Sequence, residues 1–328
     1  MLKHGGGILA AAQHYALPLT DWLDLSTGLN PQGWPVPPID PVSWLRLPET
    51  DDGLEQSAAN YYGSEHLLAV AGSQAAIQAL PQLRAPCRVG MLDTCYAEHP
   101  HHWQQHGHEL HRFAPQQLDQ AIDQLDVLLL CNPNNPTGQD FSHAQLNDWR
   151  QRLAARGGWL VLDEAFIDAT PEMSLLSQTG QPGLIILRSI GKFFGLAGAR
   201  VGFVFAWPQL LSQLANQLGP WTINGPARLV VRQALQDRDW QTQTRQRLAE
   251  DSQRLRQCLE SHGLAVQGGT RLFHWTRGAH AEKLHDFLAR RAILTRYFEH
   301  PASVRFGLPA HETDWQRLNQ ALAAWHAS

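Results

Sequence analysis

From about residue 41 onward, short apolar runs alternate with longer stretches of helical periodicity. Val89–Leu92, Val127–Leu130, Trp159–Leu162, Ile185–Leu187 and Val201–Phe205 each read as a short strand, and Gln145–Ala155 reads as a helix between two of them. A strand that is apolar throughout is buried on both faces, the condition of a parallel sheet covered by helices. The pattern predicts an α/β fold with a mostly parallel, doubly wound sheet. It places functional residues at the carboxyl ends of the strands. Residues 1–40 are rich in Gly and Pro and read as an extended arm. Beyond Trp221, Pro226–Gln236 and Asp239–His262 read as helices, and Leu272–Trp275, Ala292–Thr295 and Val304–Phe306 as short strands. A last helix, Glu312–Ala327, closes a smaller α+β domain. The expected division is 1–30 as an arm or small-domain segment, 31–221 as the large domain and 222–328 as the C-terminal small domain.

Composition narrows the function classes. The 328 residues are enough for two domains with cores of their own. Lys+Arg 26 against Asp+Glu 30 leaves a net charge of −4, so no basic field argues for nucleic acid. No apolar run reaches the roughly 18 residues of a membrane span. The first seven residues lack the apolar stretch of a signal peptide. Cys87, Cys95, Cys131 and Cys258 are scattered without a CxxC pair, which reads as reduced thiols in a cytoplasmic protein. His99, His101, His102, His106, His108 and His111 crowd one stretch. Without HExxH or a comparable spacing they read as a solvated helix and strand edge, and no metal is expected.

The basic residues are 23 Arg and only three Lys, namely Lys3, Lys192 and Lys283. A chain that uses Arg for surface charge needs a reason to keep Lys192 among Ile190, Phe193, Phe194 and Leu196. An amine in that setting is desolvated, favours its neutral form and suits Schiff-base chemistry with a carbonyl. A Lys snorkelling at a strand end is the plainer reading. Ser189-x-x-Lys192 also matches an acyl-transfer pattern, but its companion motifs are missing. Asp163 ends the run Trp159–Leu162, where a carboxylate can keep a pyridinium nitrogen protonated or simply cap a helix. Cys131-Asn132-Pro133-Asn134-Asn135-Pro136-Thr137-Gly138 follows the strand Val127–Leu130 as a rigid turn that can present an Asn amide. Gly72-Ser73-Gln74 opens an Ala-rich helix, with Ser73 as the expected N-cap facing an anion. Ser189 and Arg200 flank Lys192, and the glycines around Arg200 allow close approach of a ligand.

Taken together, Asn132–Gly138, Asp163-Glu164-Ala165-Phe166 and Ser189-x-x-Lys192 with Arg200 resemble the fold-type I pyridoxal phosphate (PLP) enzymes of the class I/II aminotransferase superfamily. The likeness runs from near residue 22 to the C-terminus. It implies PLP as cofactor, Lys192 as its Schiff-base lysine, Asp163 on the pyridine nitrogen and Asn135 on the pyridine hydroxyl oxygen. Tyr96 matches the aromatic residue stacked on the ring. Ser73, Ser189 and Arg200 match the phosphate cradle, and the likeness places Gln74 with them among the cofactor-binding residues. Arg305, in Val304-Arg305-Phe306-Gly307, matches the arginine that grips the substrate carboxylate as a bidentate fork.

Residues outside these motifs, among them His4-Gly5-Gly6, Asp24-Leu25-Ser26-x-Gly28-x-Asn30-Pro31-x-Gly33 and Pro220-Trp221-Thr222-Ile223-Asn224, resemble one subgroup of that superfamily. Its members remove CO₂ from O-phospho-L-threonine to give (R)-1-aminopropan-2-yl phosphate in cobalamin biosynthesis. The resemblance implies a small phosphorylated amino acid as substrate, with His4, Gly28, Arg296 and Arg305 around it. It also implies a homodimer. The alternative is an aminotransferase of the histidinol-phosphate type. Ser73-Gln74 differs from the Gly-rich or acidic versions of relatives, and two further positions depart from many of them. Phe166 stands where a tyrosine meets the cofactor hydroxyl oxygen. Leu47 replaces a tyrosine that reaches the neighbouring subunit's cofactor phosphate.

Overall fold

The computed structural model describes residues 4–326; Lys3 and Ala327 lie outside the described residues. The chain forms two compact units, one of Gly33–Asn135 with Asp140–Thr242, the other of Met1–Gln32, Pro136–Gln139 and Gln243–Ser328.

The larger unit is built on a seven-stranded sheet. Its strands lie in the order Leu67–Val70, Gly202–Phe205, Leu184–Ser189, Trp159–Asp163, Val127–Cys131, Arg88–Leu92, Glu109–Phe113. Gly202–Phe205 runs antiparallel to both of its neighbours, and the other pairs are parallel. Every residue of Val127–Cys131 and Trp159–Asp163 is buried, as their unbroken apolar runs require. The strand Glu109–Phe113 (Glu-Leu-His-Arg-Phe) carries no such run. It lies at the sheet edge, with Glu109 and Arg112 exposed and Leu110, His111 and Phe113 half-buried. Helix His143–Ala154 starts at Ser142, whose hydroxyl accepts from Gln145 N in a capping box.

Two expectations change in this unit. Residues 222–242, read as the start of the C-terminal domain, belong here. In helix Gly225–Gln236, Arg228 is buried and donates to the carboxylates of both Asp52 and Glu55 at 2.6–3.0 Å. The histidine stretch is not wholly solvated either. Helix Glu98–Gln105 buries His99, Pro100 and Trp103, and His108 lies buried after it with Nε2 2.9 Å from the carbonyl of Pro81.

The smaller unit holds an antiparallel sheet in the order Arg296–Phe298, Ser303–Gly307, Phe273–Arg277, Val266–Thr270. A short parallel pair joins Leu23–Asp24 to Ile293–Leu294. The N-terminal arm is not extended throughout. Ile8–Tyr15 is a helix, and Ile8, Ala11, Ala12 and Tyr15 form an apolar stripe packed with Trp22, Ala289, Ala292 and Leu294. None of the described helices is long and apolar enough to cross a membrane.

Candidate active site

In the larger unit the functional candidates gather at the carboxyl ends of adjacent strands. Asp163 ends its strand in register with Cys131 on one side and Leu187 on the other. Its Oδ1 accepts from the N–H of Ala165 at 3.1 Å, and its Oδ2 lies 2.9 Å from Nε2 of His99. Both side chains are buried, and His99 is 1% exposed. A carboxylate can only accept, so the imidazole donates and orients it. The ring of Tyr96 stands edge-on to His99, centroids 6.0 Å apart. Burial pushes the Tyr96 phenol and the Cys131 thiol well above their ordinary values, so both stay neutral. His99 is the residue that sequence reasoning missed. Its signal was the spacing of His99 and Trp103, four apart on one helix face. Donor atoms of His99, Cys131 and Asp163 all lie within 4.8 Å of one another, a set a metal ion could use, though the first and last already satisfy each other.

The turn after Val127–Cys131 is held by its own asparagines. Asn132 N donates to the Asp163 carbonyl at 2.9 Å, and Asn132 Oδ1 accepts from Phe141 N at 3.0 Å. Asn134 Nδ2 donates to the Thr94 carbonyl at 2.9 Å. Asn135 follows, half-buried. Across the sheet, Lys192 lies in the turn beyond Ser189, half-buried beside the fully buried Phe193 and Phe194. Its Nζ is 5.4 Å from the centre of the Phe166 ring. Phe166 thus contributes an apolar wall near the amine.

The third element is a cradle. Helix Ser73–Ala79 begins one residue earlier than expected. Gly72 is the N-cap and Ser73 the first helical residue, and no side chain caps the end. The chain leaves Leu67–Val70 through φ +73° at Gly72, a conformation that glycine adopts without strain. A Cβ there would sit 2.8 Å from Nη2 of Arg200, and a Cβ at Gly202 would sit 2.6 Å from N of Ser73. Gly202 is in register with Val70 and with Ser189. The start of the helix, the end of the strand at Ser189 and the Arg200 guanidinium are therefore brought close together, a setting that suits an anion. Gln74 Nε2 donates to Glu98 Oε2 at 2.6 Å and ties the helix start to the helix bearing His99.

A buried ionic cluster lies next to these residues in sequence. Arg188 is 1% exposed, with Nη1 2.7 Å from Asp168 Oδ1 and Nε 3.2 Å from Glu164 Oε2. Ser174 Oγ donates to Glu164 and accepts from Arg188 Nη2. Burial raises the Glu164 carboxyl above its ordinary value, and Arg188 opposes that shift. The cluster links the segment after Asp163 to the strand before Lys192.

The substrate candidates lie in the smaller unit. Arg305, buried in Ser303–Gly307, donates from Nη2 to the Ser26 carbonyl at 2.7 Å and sits over the Phe273 ring. Arg296 is half-buried over Phe298, and burial lowers its guanidinium from the ordinary value. His4 is exposed and precedes Gly5-Gly6, whose Gly6 N–H donates to Ser26 Oγ at 2.7 Å. Gly28 has φ +65° and lies beside Gly307.

PLP presents a phosphate, a ring nitrogen that is protonated when active, a flat face and an aldehyde that an amine must hold. The larger unit supplies a counterpart for each: the Gly72–Ser73 and Arg200 cradle, the His99-oriented carboxylate of Asp163, the half-buried Tyr96 ring and the amine of Lys192. The residues fit the cofactor.

Comparison with known proteins agrees. Residues 41–322 match the family model described as aminotransferase class I and II. The chain is 55% identical to a threonine-phosphate decarboxylase of Pseudomonas aeruginosa, over 98% of this chain and 97% of that one. It is 38% identical to a protein of the same name from Sinorhizobium sp, over 98% of each. The crystal structure of a histidinol-phosphate aminotransferase from Sinorhizobium meliloti in complex with pyridoxal-5'-phosphate superposes with a TM-score of 0.85 at 20% identity, over 98% of this chain and 94% of that one. That likeness is one of fold, the fold-type I arrangement expected from the motifs.

Proposed function

Because this chain belongs to the class I and II aminotransferase family, we propose that it is a PLP-dependent carboxy-lyase that converts O-phospho-L-threonine to (R)-1-aminopropan-2-yl phosphate and CO₂, a step of cobalamin biosynthesis. The observation that carries this reading is the 55% identity, sustained over nearly the whole length of both chains, to a threonine-phosphate decarboxylase. At 55% over 322 residues, the identity extends well beyond the short cofactor motifs.

When bound, PLP supplies an electron-accepting ring that takes up the pair left by the bond broken at Cα. The protein's part is to hold and orient. Lys192 provides the amine that anchors the cofactor and returns a proton to Cα after CO₂ departs. Asp163, oriented by His99, keeps the ring nitrogen protonated. Asn135 meets the ring hydroxyl oxygen, Tyr96 covers the ring face, and Ser73, Gln74, Ser189 and Arg200 hold the phosphate end. Arg305 grips the substrate carboxylate, while Arg296, His4 and the Gly28 backbone serve the substrate phosphate. By fixing how the substrate sits against the bound cofactor, the two substrate grips together would choose C–COO⁻ over C–H for cleavage.

The same reading includes a cytoplasmic homodimer. Trp44 is 64% exposed, Leu45 83%, Leu47 66% and Trp221 60%, and the turn carrying Trp44 abuts Gly225, just beyond Trp221. Clustered exposed apolar side chains of this size favour a protein partner, and a second copy is the partner proposed.

Mass spectrometry of the products formed by PLP-loaded protein from O-phospho-L-threonine, without any keto acid, tests the activity. Catalytic formation of 1-aminopropan-2-yl phosphate is the expected result. No such amine, with turnover of histidinol phosphate once 2-oxoglutarate is added, would make the protein an aminotransferase instead.

A further inference from the structure

Three of the substrate candidates in the smaller unit converge on one short segment, Leu23–Ser26. Leu23 N donates to the Ala292 carbonyl at 2.8 Å and Leu25 N to the Leu294 carbonyl at 2.7 Å, two residues before Arg296. Gly307 N donates to the Leu25 carbonyl at 2.7 Å, and Arg305 donates to the next carbonyl, that of Ser26. The arm attaches to the same residue. Ser26 Oγ accepts from Gly6 N at 2.7 Å and donates to Asp24 Oδ1 at 2.6 Å, and Asp24 Oδ1 also accepts from Ser26 N. A Cβ on Gly5 would sit 2.3 Å from the Ser26 carbonyl oxygen, and Gly6 has φ +83°. The two glycines after His4 are thus required by contact with Ser26 and by backbone conformation, independently of any ligand.

We propose that Ser26 is a positioning residue for substrate recognition. Its hydroxyl seats the arm that carries His4, and its carbonyl holds the guanidinium of Arg305. One residue therefore sets the spacing between the phosphate grip and the carboxylate grip, and selects a substrate that has both groups at that separation. Both the hydroxyl and the carbonyl are engaged with other groups of the protein. Ser26 is 2% exposed, so it acts through the residues it holds. The inference rests on the assignment of His4 and Arg305 made above.

The test uses full-length, cofactor-loaded protein and three constants: KM for O-phospho-L-threonine, and inhibition constants for inorganic phosphate and for L-threonine. Ser26→Ala removes the bonds to Gly6 and to the Asp24 carboxylate, which keeps its bond from Ser26 N, and leaves the carbonyl on Arg305. KM and the phosphate constant are expected to rise about five- to tenfold, with the L-threonine constant within about twofold of the wild type, the net worth of a hydrogen bond felt at one end only. Ser26→Cys, which leaves a weaker acceptor in the same place and does not disturb the carbonyl, is expected to give a smaller change of the same pattern. Thermal melts establish that both variants fold. All three constants weakening together, or none changing, would overturn the positioning role. Wild-type protein in which phosphate fails to compete with O-phospho-L-threonine would overturn the underlying site assignment, a separate result that takes this inference with it.

Discussion

The imidazole Nε2 of His99 lies 2.9 Å from Oδ2 of Asp163, with both side chains sealed from solvent. Replacing His99 with Phe keeps the volume roughly constant but leaves a buried carboxylate short of a donor, at a cost of about 1–3 kcal/mol. The expected outcome is a cofactor bound about tenfold or more weakly and a lower kcat at saturating PLP. Cofactor titration by absorbance together with steady-state kinetics checks it, and His99→Gln, which can still donate, is expected to recover part of the loss.

Arg188 is set against both Glu164 and Asp168 in the interior. Arg188→Met leaves two buried carboxylates unpaired, and the expected destabilisation is about 3–5 kcal/mol in urea unfolding. The pH dependence has a definite sign. Burial raises Glu164 above its ordinary value of 4.5, so the folded state binds the proton more tightly than the unfolded chain. Its contribution is complete below that ordinary value and is lost as pH rises through the raised one. Removing Arg188, which opposes the rise, extends the loss to higher pH. A variant whose stability rose with pH across that interval would contradict the assignment.

Gly72→Ala places a Cβ 2.8 Å from the Arg200 guanidinium at φ +73°. Strain of about 1–3 kcal/mol is expected at such a residue. Because the clash displaces the cradle cation, PLP affinity should fall about tenfold or more, the equivalent of one lost charge-assisted contact. Lengthened dialysis against cofactor-free buffer, followed by absorbance, reads this directly.

Trp44 and Leu45 are adjacent exposed apolar side chains on the proposed dimer face. The double variant Trp44→Glu with Leu45→Glu is expected to sediment as a monomer where the wild type sediments as a dimer. Equal sedimentation of both proteins would move the interface elsewhere.

The strands Val127–Cys131 and Trp159–Asp163 could be read from the chain because burial on both faces leaves a continuous apolar run. The edge strand Glu109–Phe113 could not, because a strand that faces water needs no such run. Helix Ile8–Tyr15 was hidden behind a glycine-rich start, and only its four-residue apolar stripe marked it. The helix Gly225–Gln236 belongs with the larger unit through Arg228 and its two carboxylates, residues more than 170 positions apart that no local pattern connects.

What the sequence determined by itself was the local chemistry. A lone lysine in an apolar turn, a carboxylate ending a buried strand and a proline-locked asparagine turn each follow from residues within a few positions of one another. The tertiary structure decided which distant groups meet. His99 reaches Asp163 across 64 residues, and Arg305 reaches Ser26 across 279. Arg200 comes to lie over Gly72 because Gly202–Phe205 pairs with Leu67–Val70 at the sheet edge. Such meetings depend on strand order and register, which are set by burying all the elements at once and not by the pattern within any one of them.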